Sequence, residues 1–139
     1  MTNTSPITIE TLIDAPLEKV WKHWNAPEHI MKWNAASEDW HTPSSTVDLR
    51  EGGSFTSRME AKDGSFGFDF GGTYTKVDHH KQIDYVMEDG RKVSTRFEVK
   101  DDKTHVIESF DPESENSEEM QREGWQSILN NFKKYTESL

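Results

Sequence analysis

A carboxylate in the middle of an apolar strand pattern is the residue of this sequence best suited to chemistry. Glu108 alternates with Val106 and Phe110, so a strand through these residues would point all three side chains to one face. On a buried face, the carboxylate has a raised pKa or needs a partner such as Arg96, Arg58 or a tyrosine hydroxyl. Such a group could act as a general acid or base. The alternative is a register shift or bulge that turns Glu108 to solvent and leaves no chemistry here.

A second set of residues, aromatic and methionine side chains at alternate strand positions, could line an apolar pocket. These side chains would either pack against one another at core density or leave a usable cavity. Trp33 and Trp40 fall where two short helices and their loop would flank an opening. We predict a ligand site, with no catalytic residue assigned, formed by Trp33, Trp40, Phe55, Met59, Phe68, Phe70, Tyr74, Tyr85, Phe97, Glu108, Trp125 and Leu129.

The six histidines are not spaced like metal ligands. His79 and His80 are adjacent in a predicted turn, where neighbouring side chains point apart, and no HExxH pattern is present. The chain has no cysteine, which excludes disulfides, thiolate nucleophiles and iron–sulfur clusters. Phosphate loops and serine nucleophile elbows are absent. We predict no metal and no cofactor. The residues leave open whether the protein is an enzyme, and they favour a non-enzymatic role.

The charge balance bears on possible partners. A formal charge of −10, from 26 acidic against 16 basic residues, disfavours nucleic acids and anionic membrane surfaces. No segment approaches the roughly 18 apolar residues of a transmembrane helix. The N-terminal residues Met1–Pro6 are polar and resemble no signal peptide. We expect a cytoplasmic protein that binds no nucleic acid and inserts into no membrane. Its 139 residues fit one domain, spanning 1–139, as a monomer or weak homodimer.

The element that would hold the site together is a long C-terminal helix over Asn116–Leu139. Asn116, with Glu119 three residues later, matches a capping box. About 22 residues make a rod of roughly 33 Å, long enough to cross a small domain. Its apolar residues recur at steps of three and four and form one stripe. They are Trp125, Ile128, Leu129, Phe132, Tyr135 and Leu139.

The chain before this helix reads as one strand, two short helices and about six further strands. The first strand starts at Ile7, and the helices start near Pro16 and Pro27. Asn34–Ser45 is predicted as a loop that could act as a lid. Gly71-Gly72 is predicted to form a bulge or bend. From Thr46 onward the apolar period is two, with turns at Gly52-Gly53, Asp63-Gly64, Asp78–Lys81, Asp89-Gly90 and Asp101-Asp102. Consecutive hairpins predict an antiparallel meander that curls around the long helix, an α+β fold with a curved sheet of about six to seven strands.

Short motifs in a fixed order cover nearly the whole chain. They are Ala15-Pro16 with Val20-Trp21 and Trp24, the helix from Pro27 to Trp33, Val47-Asp48-Leu49-Arg50 leading to Gly52-Gly53-Ser54-Phe55, Gly72-Thr73-Tyr74, Thr104-His105-Val106 and Gly124-Trp125. In this order they resemble the Bet v 1-like, START-related helix-grip superfamily, and within it the family named for the activator of the Hsp90 ATPase. The resemblance implies a helix-grip fold whose cavity, between curved sheet and long helix, binds lipids, sterols, polyketides or other hydrophobic small molecules. It also implies two alternatives: a cyclase or hydrolase acting on such a molecule, or a partner of an Hsp90-type chaperone.

Overall fold

The first strand, the two short helices and the long last helix lie where the hydrophobic pattern predicts them. The computed structural model describes residues 5–35 and 37–138. Three parts of the sequence-based predictions lie outside the described residues: residues 1–4, Ala36 and Leu139. The elements are β1 (Ile7–Ile13), α1 (Leu17–Asn25), α2 (Pro27–Trp33), β2 (Trp40–Val47), β3 (Ser54–Ala61), β4 (Gly67–Asp78), β5 (Gln82–Met87), β6 (Lys92–Lys100), β7 (Lys103–Phe110) and α3 (Glu118–Glu137).

The strands of the described residues form one curved antiparallel sheet in the order β1-β7-β6-β5-β4-β3-β2. Each strand from β2 to β6 pairs with the next one along the chain. The first strand instead pairs with the last, with Ile7 opposite Phe110 and Ile13 opposite Thr104. The long helix α3 packs into the concave side and buries Leu129 there. This arrangement confirms the predicted helix-grip fold.

The short helices α1 and α2 are held by aromatic rings that pack on α3. Trp24 and Trp33 stack with ring centroids 5.1 Å apart, and both meet the Phe132 ring edge-on at 4.8 and 4.9 Å. The Trp33 indole N–H donates to the His23 carbonyl at 2.9 Å. Helices of nine and seven residues are unstable alone, so this ring cluster is what fixes them. No helix within the described ranges is long and apolar enough to cross a membrane.

The helix α3 uses a different cap from the predicted one. Ser117 is the N-cap, and its Oγ accepts the backbone N–H of Met120 at 3.1 Å. The backbone and side-chain N–H groups of Asn116 donate instead to the Glu113 carboxylate. The predicted capping box of Asn116 and Glu119 was therefore wrong. Serine and asparagine cap helices almost equally well, so the bonds to Glu113 decide between them.

The segment predicted as a loop, Asn34–Ser45, contains most of an edge strand. β2 begins at Trp40 and pairs with β3, with a break in register between His41 and Ser44. Pro43 lies inside that break. A proline is tolerated there because β2 is the last strand of the sheet and its outer side needs no hydrogen-bond donor. The prediction of a continuous loop up to Ser45 was wrong.

The glycine pair in β4 lies in regular pairing. Gly72 is opposite Phe55 on one side, and the register shift predicted at the glycines lies between Tyr74 and Lys76 instead. A Cβ atom on Gly72 would lie 2.6 Å from the Val86 carbonyl oxygen. The absence of a side chain therefore lets β4 and β5 approach closely at this position.

Side chains of α3 cover the outer edge of β1. Three of them donate to carbonyl groups spaced two residues apart along the strand, which would otherwise lack a partner strand. These bonds run from Arg122 to the Thr8 carbonyl at 2.7 Å, from Gln126 to the Glu10 carbonyl at 3.3 Å and from Lys133 to the Leu12 carbonyl at 2.9 Å.

Candidate ligand cavity

The concave face of the sheet does not close completely on α3. A cavity of about 390 Å³ remains between them and is partly open to solvent. This volume lies within the range of about 300–1,000 Å³ that is typical of small-molecule sites. Most of its wall consists of aromatic and aliphatic side chains, and its charged residues are Arg91, Glu108 and Glu113. The sequence left open whether these side chains fill the interior at core density or leave a cavity. The described residues leave a cavity.

Most of the residues predicted for the site line this cavity. They are supplied by three of the strands in the meander, by the last strand and by the helices α2 and α3. Strand alternation and the helical stripe thus converge on one space. Contact of these residues with a ligand stays a prediction. The residues are Trp33, Phe55, Met59, Phe68, Phe70, Tyr74, Tyr85, Glu108, Trp125 and Leu129.

Two predicted site residues, Phe97 and Trp40, do not line the cavity. Phe97 faces inward on β6 but is covered by α1, and its ring centroid lies 5.2 Å from that of Trp21. Trp40 lies in β2, with its ring centroid 6.0 Å from those of Phe66 and Phe68. Phe66 is 60% exposed, so these three residues form an aromatic surface cluster beside the cavity wall.

Glu108 points inward, as strand alternation predicted, and only 6% of the residue is exposed. Thr95 lies opposite it on β6 and donates from Oγ1 to Glu108 Oε2 at 3.3 Å. Burial raises the pKa of Glu108 to about 7, and the bond from Thr95 opposes only part of that rise. Neither expected arginine is its partner, because Arg58 pairs with Glu60 and Arg96 is exposed on the outer face.

Two tyrosines of the wall add neutral polar groups. Burial raises the pKa of Tyr85 well above its usual value, and the charge on Glu108 adds to the rise. Burial also raises the pKa of Tyr74. Both hydroxyls therefore stay protonated near neutral pH and can donate or accept hydrogen bonds. Within the described residues, neither hydroxyl has a hydrogen-bond partner.

The loop before α3 borders the cavity and is held by one buried side chain. Gln121 accepts the Glu113 backbone N–H at 2.8 Å. It also donates to the carbonyls of Glu113 at 3.1 Å and Asn116 at 2.9 Å. Arg91, from the turn between β5 and β6, lines the same cavity, and its Nε donates to Asp89 at 2.7 Å. The only cation of the described wall is thus already paired with a carboxylate.

A family model described as "Activator of Hsp90 ATPase homolog 1-like protein" matches residues 14–137. The chain belongs to this family.

Two solved structures of related sequence support the assignment. The solution NMR structure of the AHSA1-like protein from Aeromonas hydrophila is 48% identical, covers 96% of this chain and 93% of that chain, and has a TM-score of 0.91. The solution structure of a protein from Cytophaga hutchinsonii is 53% identical, with coverages of 96% and 92% and a TM-score of 0.84. A comparison with curated proteins found no match.

The fold of this Hsp90 ATPase activator-like family extends to chains with little sequence in common. The X-ray structure of a protein from Nitrosomonas europaea is 16% identical, covers 99% of this chain and 97% of that chain, and has a TM-score of 0.82. At that identity the likeness shows the fold alone. The resemblance deduced from the motifs is therefore confirmed at the level of both superfamily fold and family.

Several polar residues of the cavity wall were not predicted from the sequence of this Hsp90 ATPase activator-like protein. Gln121 lies four residues before Trp125 on the apolar stripe, and a polar side chain at such a position is a readable signal. Ser57 is the corresponding case on β3, where it shares the inner face with Met59. Arg91 follows a turn, where no periodicity indicates the direction of a side chain.

Two histidines of this chain pack on α3 outside the cavity. His23 and His29 stack with ring centroids 4.1 Å apart. His23 Nδ1 lies 3.3 Å from the Thr136 hydroxyl, and His29 Nδ1 lies 2.6 Å from the Tyr135 hydroxyl. These contacts fasten α1 and α2 to the last helix. In the part of the chain that the structure describes, no three His, Asp or Glu side chains are grouped to hold a metal ion.

Proposed function

We propose that this protein binds a hydrophobic or amphipathic small molecule in the cavity between the sheet and α3. The observation that carries the proposal is the cavity itself, a space of about 390 Å³ with an apolar wall and few polar groups. That composition is typical of small-molecule sites. The resemblance to helix-grip proteins supports the same function. We also propose a cytoplasmic location for this function.

The chemistry of the wall favours an apolar ligand body. Burying apolar surface contributes roughly 25 cal/mol for each Å² removed from water. Aromatic rings supply large rigid contact surfaces, and Met59 and Met87 can adapt to irregular shapes. A ligand in the cavity would gain these contacts without displacing a side chain, because the space already exists.

An NMR titration tests this proposal directly. Amide and methyl resonances are followed while fatty acids, sterols, flavonoids and polyketide-like aromatics are added in turn. We expect shifts that cluster on Phe55, Tyr85 and Trp125. Ile128→Trp adds an indole to the cavity wall, whereas Met120→Trp adds the same indole at a position of α3 that is 60% exposed. The first variant should lose the shifts and the second should keep them.

The proposal fails if no compound shifts the wall resonances of the folded wild type. It also fails if Ile128→Trp and Met120→Trp respond alike, because binding would then not depend on the cavity. Circular dichroism of both variants shows whether the fold is intact.

A second candidate function is catalysis on a similar molecule. Its support is Glu108, a buried carboxyl whose pKa of about 7 suits a general acid or base near neutral pH. Once a bound compound is known, its conversion can be followed by chromatography. Loss of turnover in Glu108→Gln, with binding retained, would favour this candidate, and the absence of any turnover in wild type would remove it.

A third candidate is interaction with an Hsp90-type chaperone, which the family description suggests. The aromatic surface cluster of Trp40, Phe66 and Phe68 is the exposed apolar feature that supports it. The test is the ATPase rate of a bacterial Hsp90 with and without the protein. An effect that disappears in Phe66→Ser would support the interaction, and an unchanged rate together with no detectable binding would contradict it.

A further inference from the structure

Glu108 Oε1 and the Tyr85 hydroxyl are two polar atoms of the cavity wall without a hydrogen-bond partner among the described residues. Glu108 uses Oε2 to accept from Thr95, but its Oε1 makes no hydrogen bond within the described residues, and neither does the Tyr85 hydroxyl. In the described chain, the one fully buried side-chain N or O atom without a partner is His105 Nδ1. Glu108 Oε1 and the Tyr85 hydroxyl also lack a partner but are not fully buried, so each is at least partly accessible to solvent. Both side chains belong to the cavity wall and present these atoms to its open space.

The charges around these two atoms are unbalanced. The cavity wall has two carboxyl groups, Glu108 and Glu113, against one described cation, Arg91. The Arg91 guanidinium is already bound by Asp89, with 2.7 Å between Nε and Oδ2. Within the described residues no cation is paired with Glu108, so a negative ligand group beside it would meet a carboxylate that no cation directly neutralises. The whole chain, at −10, adds to the same negative field.

We propose that the cavity recognises its ligand through a hydrogen-bond donor, a hydroxyl or an amine, that Glu108 accepts, and that it discriminates against ligands whose polar end is a carboxylate. This inference rests on the proposed binding function and specifies its ligand class. The ligand's donor bonds to Glu108 Oε1, while the Tyr85 hydroxyl offers a second contact to the same polar end. The apolar body of the ligand lies along the aromatic wall.

The discrimination follows from the chemistry of the site. A donor group gives the unpartnered oxygen the hydrogen bond that it otherwise obtains only from water, and bonds to an ionised group are the stronger ones. A carboxylate in the same place would bring two like charges together in an apolar space, so one of them would have to take up a proton. A site built to pair with a donor rejects ligands that lack it, because its own polar group is then left unsatisfied.

Three probes of equal chain length test the proposal: decanol, decylamine and decanoate. Dissociation constants are measured by NMR titration at slightly alkaline pH, below the concentrations at which the probes form micelles. We expect decanol and decylamine to bind wild type about tenfold or more tightly than decanoate, the effect of one charge-assisted hydrogen bond. Glu108→Gln should reduce this preference to near unity by improving decanoate and weakening decylamine.

Two further variants make the test specific. Glu98→Gln removes the same charge from an exposed position of β6 and should leave the preference unchanged. Tyr85→Phe removes only the second polar contact and should weaken decanol binding severalfold while keeping the order of the three probes. It also provides a readout if Glu108→Gln does not fold.

The outcomes separate the two proposals. Equal binding of all three probes to wild type overturns the head-group selection and leaves the binding function standing. A preference that survives in Glu108→Gln also overturns it, because another group must then make the selection. If none of the probes binds and the broad ligand panel is also silent, both proposals fail.

Discussion

The Phe110 ring lies flat on the Trp125 indole, with ring centroids 4.0 Å apart and an angle of 10° between the planes. Phe110 is fully buried at the end of β7, and Trp125 lies near the start of α3, so the stack joins the last strand to the last helix. The Phe70 ring meets the same indole edge-on at 6.1 Å. Trp125 therefore both fastens the helix and forms part of the cavity wall.

The first prediction concerns this stack. Trp125→Ala should lower the free energy of unfolding by about 2–3 kcal/mol, because a half-buried ring and its stacking partner are lost. Urea denaturation measures the change. Met120→Ala, on the same helix but 60% exposed, should change stability by less than about 0.5 kcal/mol. Equal losses in the two variants would show that the stack does not hold the helix.

The second prediction concerns pH, because two buried groups act in opposite directions. Burial raises the pKa of Glu108 from 4.5 to about 7. Burial, together with the positive charges of His29, Lys19 and Lys22, lowers the pKa of His23 from 6.5 to about 4. The stability that the neutral Glu108 contributes is complete below pH 4.5 and is lost as the pH rises to 7. The stability that the neutral His23 contributes is complete above pH 6.5 and is lost as the pH falls to 4.

Each of these contributions amounts to about 3–4 kcal/mol at most, since one pKa unit corresponds to about 1.4 kcal/mol. We expect them to nearly cancel in wild type between pH 4.5 and 6.5. Glu108→Gln should therefore gain stability relative to wild type as the pH rises through this window, and His23→Gln should lose it. Denaturation curves across the window measure both slopes. Parallel curves for wild type and the two variants would contradict the opposing shifts.

The third prediction concerns the loop that borders the cavity. Gln121→Leu removes three hydrogen bonds to Glu113 and Asn116, so the loop should open more often. We expect the Glu113 amide to exchange its hydrogen at least about tenfold faster, the effect of losing about 1.4 kcal/mol of local stability. Hydrogen-exchange NMR measures this rate. Gln126→Leu, on the side of α3 that faces β1, should leave the Glu113 amide unchanged.

The fourth prediction compares two glycines. Gly72→Ala would bring a Cβ to 2.6 Å from the Val86 carbonyl oxygen and to 3.0 Å from the Tyr85 ring. It should destabilise the protein by about 1–3 kcal/mol and shift the Tyr85 resonances. A Cβ on Gly124 would meet nothing within 4 Å. Gly124→Ala should therefore stabilise the helix by up to about 1 kcal/mol. Thermal unfolding measures the stability of both variants. A loss of stability in both would contradict this prediction.

The apolar periods of α3 and of the strands predicted the fold, because these periods depend only on which face of each element is buried. The stripe of α3 and the alternation of Val106, Glu108 and Phe110 both require one buried face, and a slip of one residue would turn every apolar side chain outward. The same alternation indicated that Glu108 points inward. Thr95 was not identified as its partner, although the predicted turn at Asp101-Asp102, which sets Lys100 opposite Lys103, also places Thr95 opposite Glu108.

The parts that the sequence did not reveal are those where the local pattern is polar. An edge strand has one side in solvent and tolerates proline, so β2 carried no readable period and Trp40 was assigned to a loop. Phe97 faces inward as expected, but whether an inward residue meets a cavity or a helix depends on where α1 lies. The choice between Asn116 and Ser117 as the cap depends on whether Asn116 bonds to Glu113 instead. The residue types alone do not determine that contact.

The bonds from α3 to β1 bear on how the sheet can meet another chain. Arg122, Gln126 and Lys133 occupy carbonyl groups along the outer side of β1, so an incoming strand would have to displace the helix before it could pair there. The opposite edge, β2, is interrupted by Pro43 within a break in register. Neither edge offers a long continuous template, which protects the sheet against edge-to-edge aggregation.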